Sequence, residues 1–197
     1  MKIKKYITGI IILLMYVHQQ VYGQQNNLKK ILPKEYTAQY AGSTGFLSLG
    51  INYSLLDNYI DIGLLYGYVP KSIGGKLDIL TLKFKFNPIE IKLGEQHKLY
   101  PFNPIFFLST TLNENFYFRR PNHYSKEYYW WNSAMRMHVG FELEYVYQLS
   151  ENHLIKHIGL YSNFNTNDLY LTAYINNKSY LSLKDIVKLG IGIKIGI

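Results

Sequence analysis

The sequence predicts an all-β fold: one eight-stranded antiparallel transmembrane β-barrel behind a cleavable signal peptide. Three observations predict it. Short runs alternate apolar and polar residues one for one, the pattern of a strand that is greasy toward lipid and polar or small toward a lumen. The N-terminus carries the parts of a secretion signal. Aromatic residues are abundant (20 Tyr, 10 Phe, 2 Trp) and cysteine is absent. Barrels place aromatics as girdles at both membrane interfaces, and without disulfides a secreted fold relies on closing its strand hydrogen bonds.

The signal comes first. Met1-Lys2-Ile3-Lys4-Lys5 is a basic region, an apolar stretch follows from about Tyr6 to Val17, and Val21-Tyr22-Gly23 offers a cleavage site before Gln24. The apolar run is short for a membrane helix, which needs roughly 20 residues. The expected organisation is a signal peptide over 1–23, a lead-in over 24–35 and a barrel over 36–197. The mature length of about 174 residues suits eight strands of roughly 10 residues with their loops. Loss of Lys2, Lys4 and Lys5 lowers the formal charge from +8 to +5. That diffuse basic excess favours anionic lipopolysaccharide headgroups. It forms no basic patch and accompanies no nucleic-acid motif, so nucleic acid is not an expected partner.

The strands follow in order. In 46–55, Leu47, Leu49, Ile51 and Tyr53 share one face and Ser48, Gly50, Asn52 and Ser54 the other. Leu56-Asp57-Asn58 reads as a tight turn. In 59–68, Ile60, Ile62, Leu64, Tyr66 and Tyr68 face out and Asp61, Gly63 and Gly67 in; residues 69–75 read as a loop. In 77–87, Leu80, Leu82, Phe84 and Phe86 oppose Thr81, Lys83 and Lys85. A uniformly apolar strand is expected over 103–112, and the longest over 133–149, with Arg136, His138, Gly140, Glu142, Glu144 and Gln148 on its polar face. Residues 153–164 form another. The last, 188–197, alternates Leu189, Ile191, Ile193, Ile195 and Ile197 with Lys188, Gly190, Gly192, Lys194 and Gly196.

The eighth strand is either 36–42 or 168–175. Outer-membrane barrels keep short turns on the periplasmic side and long loops outside. The early strand satisfies this rule, with 56–58 and 150–153 inside and 69–76, 113–132 and 165–187 outside, and is preferred. It leaves 88–102 as a long periplasmic connection. Within 165–187, Ser182-Leu183-Lys184-Asp185 has capping-box spacing, with Asp in place of the favoured Glu or Gln.

Nine residues are assigned to a lumen polar network: Asp61, Lys83, Lys85, Arg136, His138, Glu142, Glu144, His157 and Lys194. An eight-stranded barrel is filled by its own side chains. Charges inside it must therefore pair with one another. Tyr128, Tyr129, Trp130 and Trp131 are expected as an interface girdle, with a stacking platform for a glycan or lipid as the alternative. Catalytic residues are not identified. Lipid A deacylases carry a His-x-Ser-Asn motif, but Ser162-Asn163 has Leu at position 160, and His157 lies on the opposite strand face from Ser162. His123, Ser125 and Asp168 in outside loops supply the residue types of a lipid A palmitoyltransferase without a distinctive pattern. The histidines show no metal-ligand spacing, so neither metal nor cofactor is expected.

Gln39-Tyr40-Ala41-Gly42, Gly67-Tyr68-Val69-Pro70, Tyr129-Trp130-Trp131 and Asn167-Asp168-Leu169-Tyr170-Leu171 together resemble a family of uncharacterised outer-membrane β-barrel proteins of Gram-negative bacteria. The resemblance implies the barrel and the outer-membrane location, and brings no activity or site residues. One departure is the terminus: many such barrels end in an aromatic residue read by the barrel-assembly machinery, and this chain ends in Ile197.

The expectation is thus a small outer-membrane barrel with a side-chain-filled lumen, structural or adhesive through its outer loops. Its partners would be outer-membrane lipid, lipopolysaccharide and the assembly machinery, with an extracellular partner of unspecified kind. The alternatives are a lipid-modifying enzyme (lipid A acyl hydrolase or acyltransferase type) and a soluble, secreted, lipocalin-like binding barrel.

Overall fold

The computed structural model describes residues 33–56, 58–112, 134–150 and 154–197. The expected signal peptide, almost all of the lead-in, Tyr128 to Trp131, and His123, Ser125 and His153 lie outside the described residues.

Eight strands close into an antiparallel barrel. They are β1 (Glu35–Ala41), β2 (Leu47–Leu55), β3 (Ile60–Val69), β4 (Leu77–Phe86), β6 (His97–Thr111), β7 (Met135–Gln148), β8 (His157–Asn167) and β9 (Lys188–Gly196). A two-residue strand, β5 (Ile91–Lys92), is an appendage on β6. Each barrel strand pairs with its neighbours along the chain, β4 passes over β5 to pair with β6, and β9 returns to β1. Closure removes the open sheet edges that would otherwise present unpaired backbone.

The pairing register fixes the barrel's shape. Glu35 leads through Asn52, Gly63, Lys83, Phe107 and His138 to Asn167 on β8. In the other direction Glu35 leads through Gly196 to His157 on the same strand, ten residues from Asn167. A stagger of ten over eight strands inclines them by roughly 40° and gives a backbone radius of about 8 Å, from the usual strand rise and spacing. That bore holds side chains and little else.

Period-2 patterning holds around the barrel. On β2, Ser48 and Asn52 are buried while Leu47 and Leu49 are exposed, Leu49 at 61%. On β9, Lys194 is buried while Leu189, Ile191 and Ile193 are exposed. The outer wall is therefore apolar and the interior polar. Outward tyrosines lie toward both rims: Tyr36, Tyr145 and Tyr147 near the end that carries the barrel's termini, Tyr40, Tyr66 and Tyr68 near the other. Aliphatic side chains such as Leu64, Leu82 and Ile193 lie between them.

The early candidate for the eighth strand is β1, and 168–175 is helical. Asn167 accepts a hydrogen bond from the Tyr170 N–H and caps α2 (Asp168–Asn176). α1 (Lys71–Gly74) occupies the expected loop after β3, and α3 (Leu183–Ile186) has the capping box between Ser182 and Asp185. The segment 88–102 differs from expectation. Strand β6 begins at His97, passes a register shift between Tyr100 and Asn103, and forms a hairpin with β5 in which Tyr100 donates to Glu90 (2.7 Å). Only 87–90 and 93–96 are left as connection. Strand β8 starts at His157 rather than 153 and runs on to Asn167.

Candidate functional site

Alternation sends the polar residues of every strand into the bore, and the register decides which of them meet. Asp61 lies opposite Lys85 on β3 and β4. Glu142 and Glu144 of β7 reach across the lumen to the lysines of β4 and β9. Lys85 Nζ is 2.9 Å from Asp61 and 2.5 Å from Glu144. Lys194 Nζ is 2.6 Å from Glu142 and 2.7 Å from Glu144. Lys83 is paired with Glu142. Three lysines thus meet three carboxylates, all buried. An unpaired charge here would carry a desolvation penalty of several kcal/mol, so neutrality of the set is a condition of folding.

Polar side chains extend this cluster toward both ends. Lys194 and Lys83 lie 4.7 and 5.1 Å from the Tyr161 ring centroid, a cation–π arrangement. Tyr161 donates its hydroxyl to Gln39 Oε1 (2.9 Å), which also accepts from Asn163 (3.1 Å). Gln39 Nε2 donates to Thr44 Oγ1 (2.8 Å), 3.0 Å from Ser48 Oγ. Toward the termini, His157 Nε2 is 2.8 Å from Glu35, and Asn52 donates to Thr37 (2.6 Å). Asn87 donates to Asp61 (3.0 Å).

The bore is interrupted. A cavity of about 240 Å³ opens at the end carrying the termini and is lined by Glu35, Asp61, Lys85, Glu144 and His157. A larger one, about 950 Å³, opens at the other end. Between them, Asp61, Lys83, Lys85 and Lys194 border a void of about 10 Å³, about the minimum for one water. Leu65 and Phe107, both buried, add an apolar layer across the bore. Leu65 fits because Gly50 faces it: a β-carbon there would stand 2.7 Å from Leu65 Cγ.

Of the nine residues assigned to the lumen network, Asp61, Lys83, Lys85, Glu142, Glu144 and Lys194 form the central cluster. His157 sits apart, at the end with the termini, on Glu35. Arg136 and His138 lie at the far end and line the larger cavity. There His138 Nε2 is 2.9 Å from Ser109 Oγ, and its ring stacks on Phe107 at 4.2 Å with the planes 6° apart. Asp168 begins α2, where its carboxylate accepts from the Leu169 N–H. Among the described residues no group of three or more His, Cys, Asp or Glu is arranged to hold a metal ion.

Sequence reasoning overlooked much of the uncharged interior: Gln39, Asn103, Tyr161, Asn163, Asn165 and Ser109. Alternation alone would have placed Tyr161 and Asn163 inside, because they share a strand face with His157. Ser109 sits in a run apolar on both faces, Ile105 and Phe107 inside and Phe106 and Leu108 outside, and gives no such signal.

Comparison with protein-family models, curated proteins and solved structures gives no match.

Proposed function

We propose that this chain is an integral outer-membrane β-barrel, exported by its N-terminal signal, sealed inside by a polar plug, and active through its outer end. The observation that carries the proposal is the inverted amphipathicity of the wall. Six ionisable side chains are sequestered in the bore while Leu49, Leu160 and Ile191 stand 61, 57 and 56% exposed. Water opposes both arrangements, and hydrocarbon favours the second. Strands of nine to ten residues, as in β2 to β4, inclined at roughly 40° give an apolar band of about 25 Å, the height of such bands in outer-membrane barrels.

The interior also weighs against a soluble binding barrel and against a pore. A soluble binding barrel buries apolar faces inward, and here the inward faces hold lysines and carboxylates. A pore needs an open lumen, and the central cluster fills it. What is left for contact is the outer end: the large cavity and α2, none of whose residues is buried. There Tyr170, Leu171 and Ile175 are exposed and offer an adhesive surface. Outer-membrane lipid, lipopolysaccharide and the barrel-assembly machinery are the partners this reading implies, and membership in the outer-membrane barrel family is part of it.

Fractionation of expressing cells, followed by gel mobility in detergent with and without boiling, tests the proposal. The expected result is outer-membrane recovery with a mobility shift on boiling. A soluble protein whose mobility boiling leaves unchanged would overturn it.

A further inference from the structure

The larger cavity holds more than a mouth. Its lining mixes inward-facing polar residues, Ser109, His138 and Asn167, with Tyr40 and Leu189 on the outer faces of β1 and β9. It therefore runs from the bore over the rim of the wall. The wall is low at this point, because β1 ends at Ala41 and β2 begins at Leu47. Gly42 and Gly190 let the seam close tightly: a β-carbon on Gly42 would stand 2.7 Å from Gly190 Cα, and its φ of 72° suits glycine.

Ser109 on β6 and His138 on β7 lie at the cavity floor, Oγ and Nε2 2.9 Å apart. If Nε2 accepts the serine proton, the imidazole carries its own proton on Nδ1. Nδ1 is buried without a partner. Asn165 of β8 shares the inward face with His138, two residues along from Asn167, which pairs with His138 in register. Asn165 Nδ2 already donates to Gly42 O and to Asn163 Oδ1, both at 2.9 Å, while Asn165 Oδ1 is buried and unpartnered. An unpartnered ring nitrogen on β7 and an unpartnered carboxamide oxygen on β8 thus face the same part of the bore. Such contacts are commonly loose in unliganded sites and tighten around a substrate. Asn167 lies directly opposite His138. Its Oδ1 is occupied by the Tyr170 N–H, leaving its Nδ2 to donate to an oxyanion.

We infer that Ser109, His138 and Asn165 form a nucleophile, base and positioning residue for acyl transfer from the carboxylic ester of a long-chain amphiphile that enters over the β1–β9 rim. This rests on the membrane reading above, which supplies the substrate's approach. The ester specification comes from the lining: Val69, Leu77 and Ile79 offer apolar surface for an acyl chain, and Arg136, opposite Ser109 in register, brings a cation to the same wall. Ser109 Oγ attacks the ester carbonyl carbon as His138 Nε2 takes the serine proton. The carbon–oxygen bond to the alcohol breaks, and the alcohol leaves with the proton from Nε2. Water then attacks the acyl-serine, giving a proton to His138, and the acid departs as Oγ recovers its proton.

The test uses the full-length protein refolded in detergent micelles, with Ser109→Ala, His138→Gln and Asn165→Leu variants, each checked for the mobility shift on boiling. The probes are p-nitrophenyl palmitate for turnover and a fluorophosphonate for labelling, its site read by peptide mass spectrometry. The expected result is labelling at Ser109 and ester turnover that falls by at least about 10³-fold in the Ser109 and His138 variants. Asn165→Leu should lower kcat at unchanged KM and shift the acid limb of its pH profile. A heat-modifiable wild-type barrel inert to both probes, or turnover undiminished in Ser109→Ala, would overturn the serine chemistry and leave the membrane reading standing. Turnover at Ser109 by a soluble, non-shifting chain would support the serine chemistry and overturn the membrane reading.

Discussion

Lys194→Met should be among the most damaging single substitutions in the barrel. Lys194 is 3% exposed and bridges Glu142 and Glu144 at 2.6 and 2.7 Å. Removing it leaves Asp61, Glu142 and Glu144 with only Lys83 and Lys85, a net charge of −1 on buried side chains around a void of about 10 Å³. Breaking a buried pair by deleting one partner costs about 3–5 kcal/mol, which lowers the folding equilibrium constant by roughly 10² to 10⁴. The folded fraction in urea titrations, read from heat-modifiable gel bands in detergent micelles, measures this. Lys98→Met is the internal control. Its 3.3 Å pair with Glu90 is about a third exposed on both sides, and such pairs contribute about 0–1 kcal/mol. Lys194→Met combined with Glu144→Leu restores neutrality and should recover most of the loss. If Lys194→Met costs no more than Lys98→Met, or the double variant is weaker than the single, the charge-balance reasoning is wrong.

Three other outcomes follow from the same geometry. Gly192→Ala would press a β-carbon into the Tyr161 ring, which its bond to Gln39 and the two lysines hold in place; urea titration should show a loss of about 1–3 kcal/mol, and a neutral result would mean the ring is free to move. Planar-bilayer recordings should give no stepwise conductance, because the central cluster blocks the bore; steady single-channel openings would refute the sealed lumen. At α3, the Ser182 N–H and hydroxyl donate to Asp185 at 2.7 and 2.8 Å and hold its carboxyl below the usual aspartate range. Because the folded value is depressed, the cap is fully present above about pH 4 and lost as pH falls through the folded value. Hydrogen exchange at the Ser182 amide should quicken at that lower pH, and Asp185→Asn should abolish the pH dependence.

Much of this fold was legible because it is written in single-strand patterns. The faces of β2, β3, β7 and β9 can be read from alternation, since the outer wall and the lumen take opposite polarity at successive residues. Two segments resisted for physical reasons. Strand β6 is apolar on both faces, since Ile105 and Phe107 fill the bore as Phe106 and Leu108 coat the wall, and Pro101 and Pro104 obscure its start. In 168–175, a short apolar run fits either period, and the structure makes it a helix capped by Asn167. Which interior charges pair could not be read from single strands, because it depends on a register that brings β3, β4, β7 and β9 together. The Ser109–His138 contact was hidden for the same reason, its members being on different strands.

The central claim is that the outer wall faces hydrocarbon. The chain has no cysteine, so spin labels introduced singly by cysteine substitution at each position of β2, Leu47 to Leu55, report one site each in lipid vesicles. Collisional relaxation by oxygen, which partitions into hydrocarbon, and by a water-soluble nickel chelate should be compared along the strand. The account predicts high oxygen and low nickel accessibility at 47, 49, 51 and 53, and low accessibility to both at 48, 50 and 52. Strong nickel accessibility at 49 and 51 would place the wall in water and contradict the membrane-barrel reading.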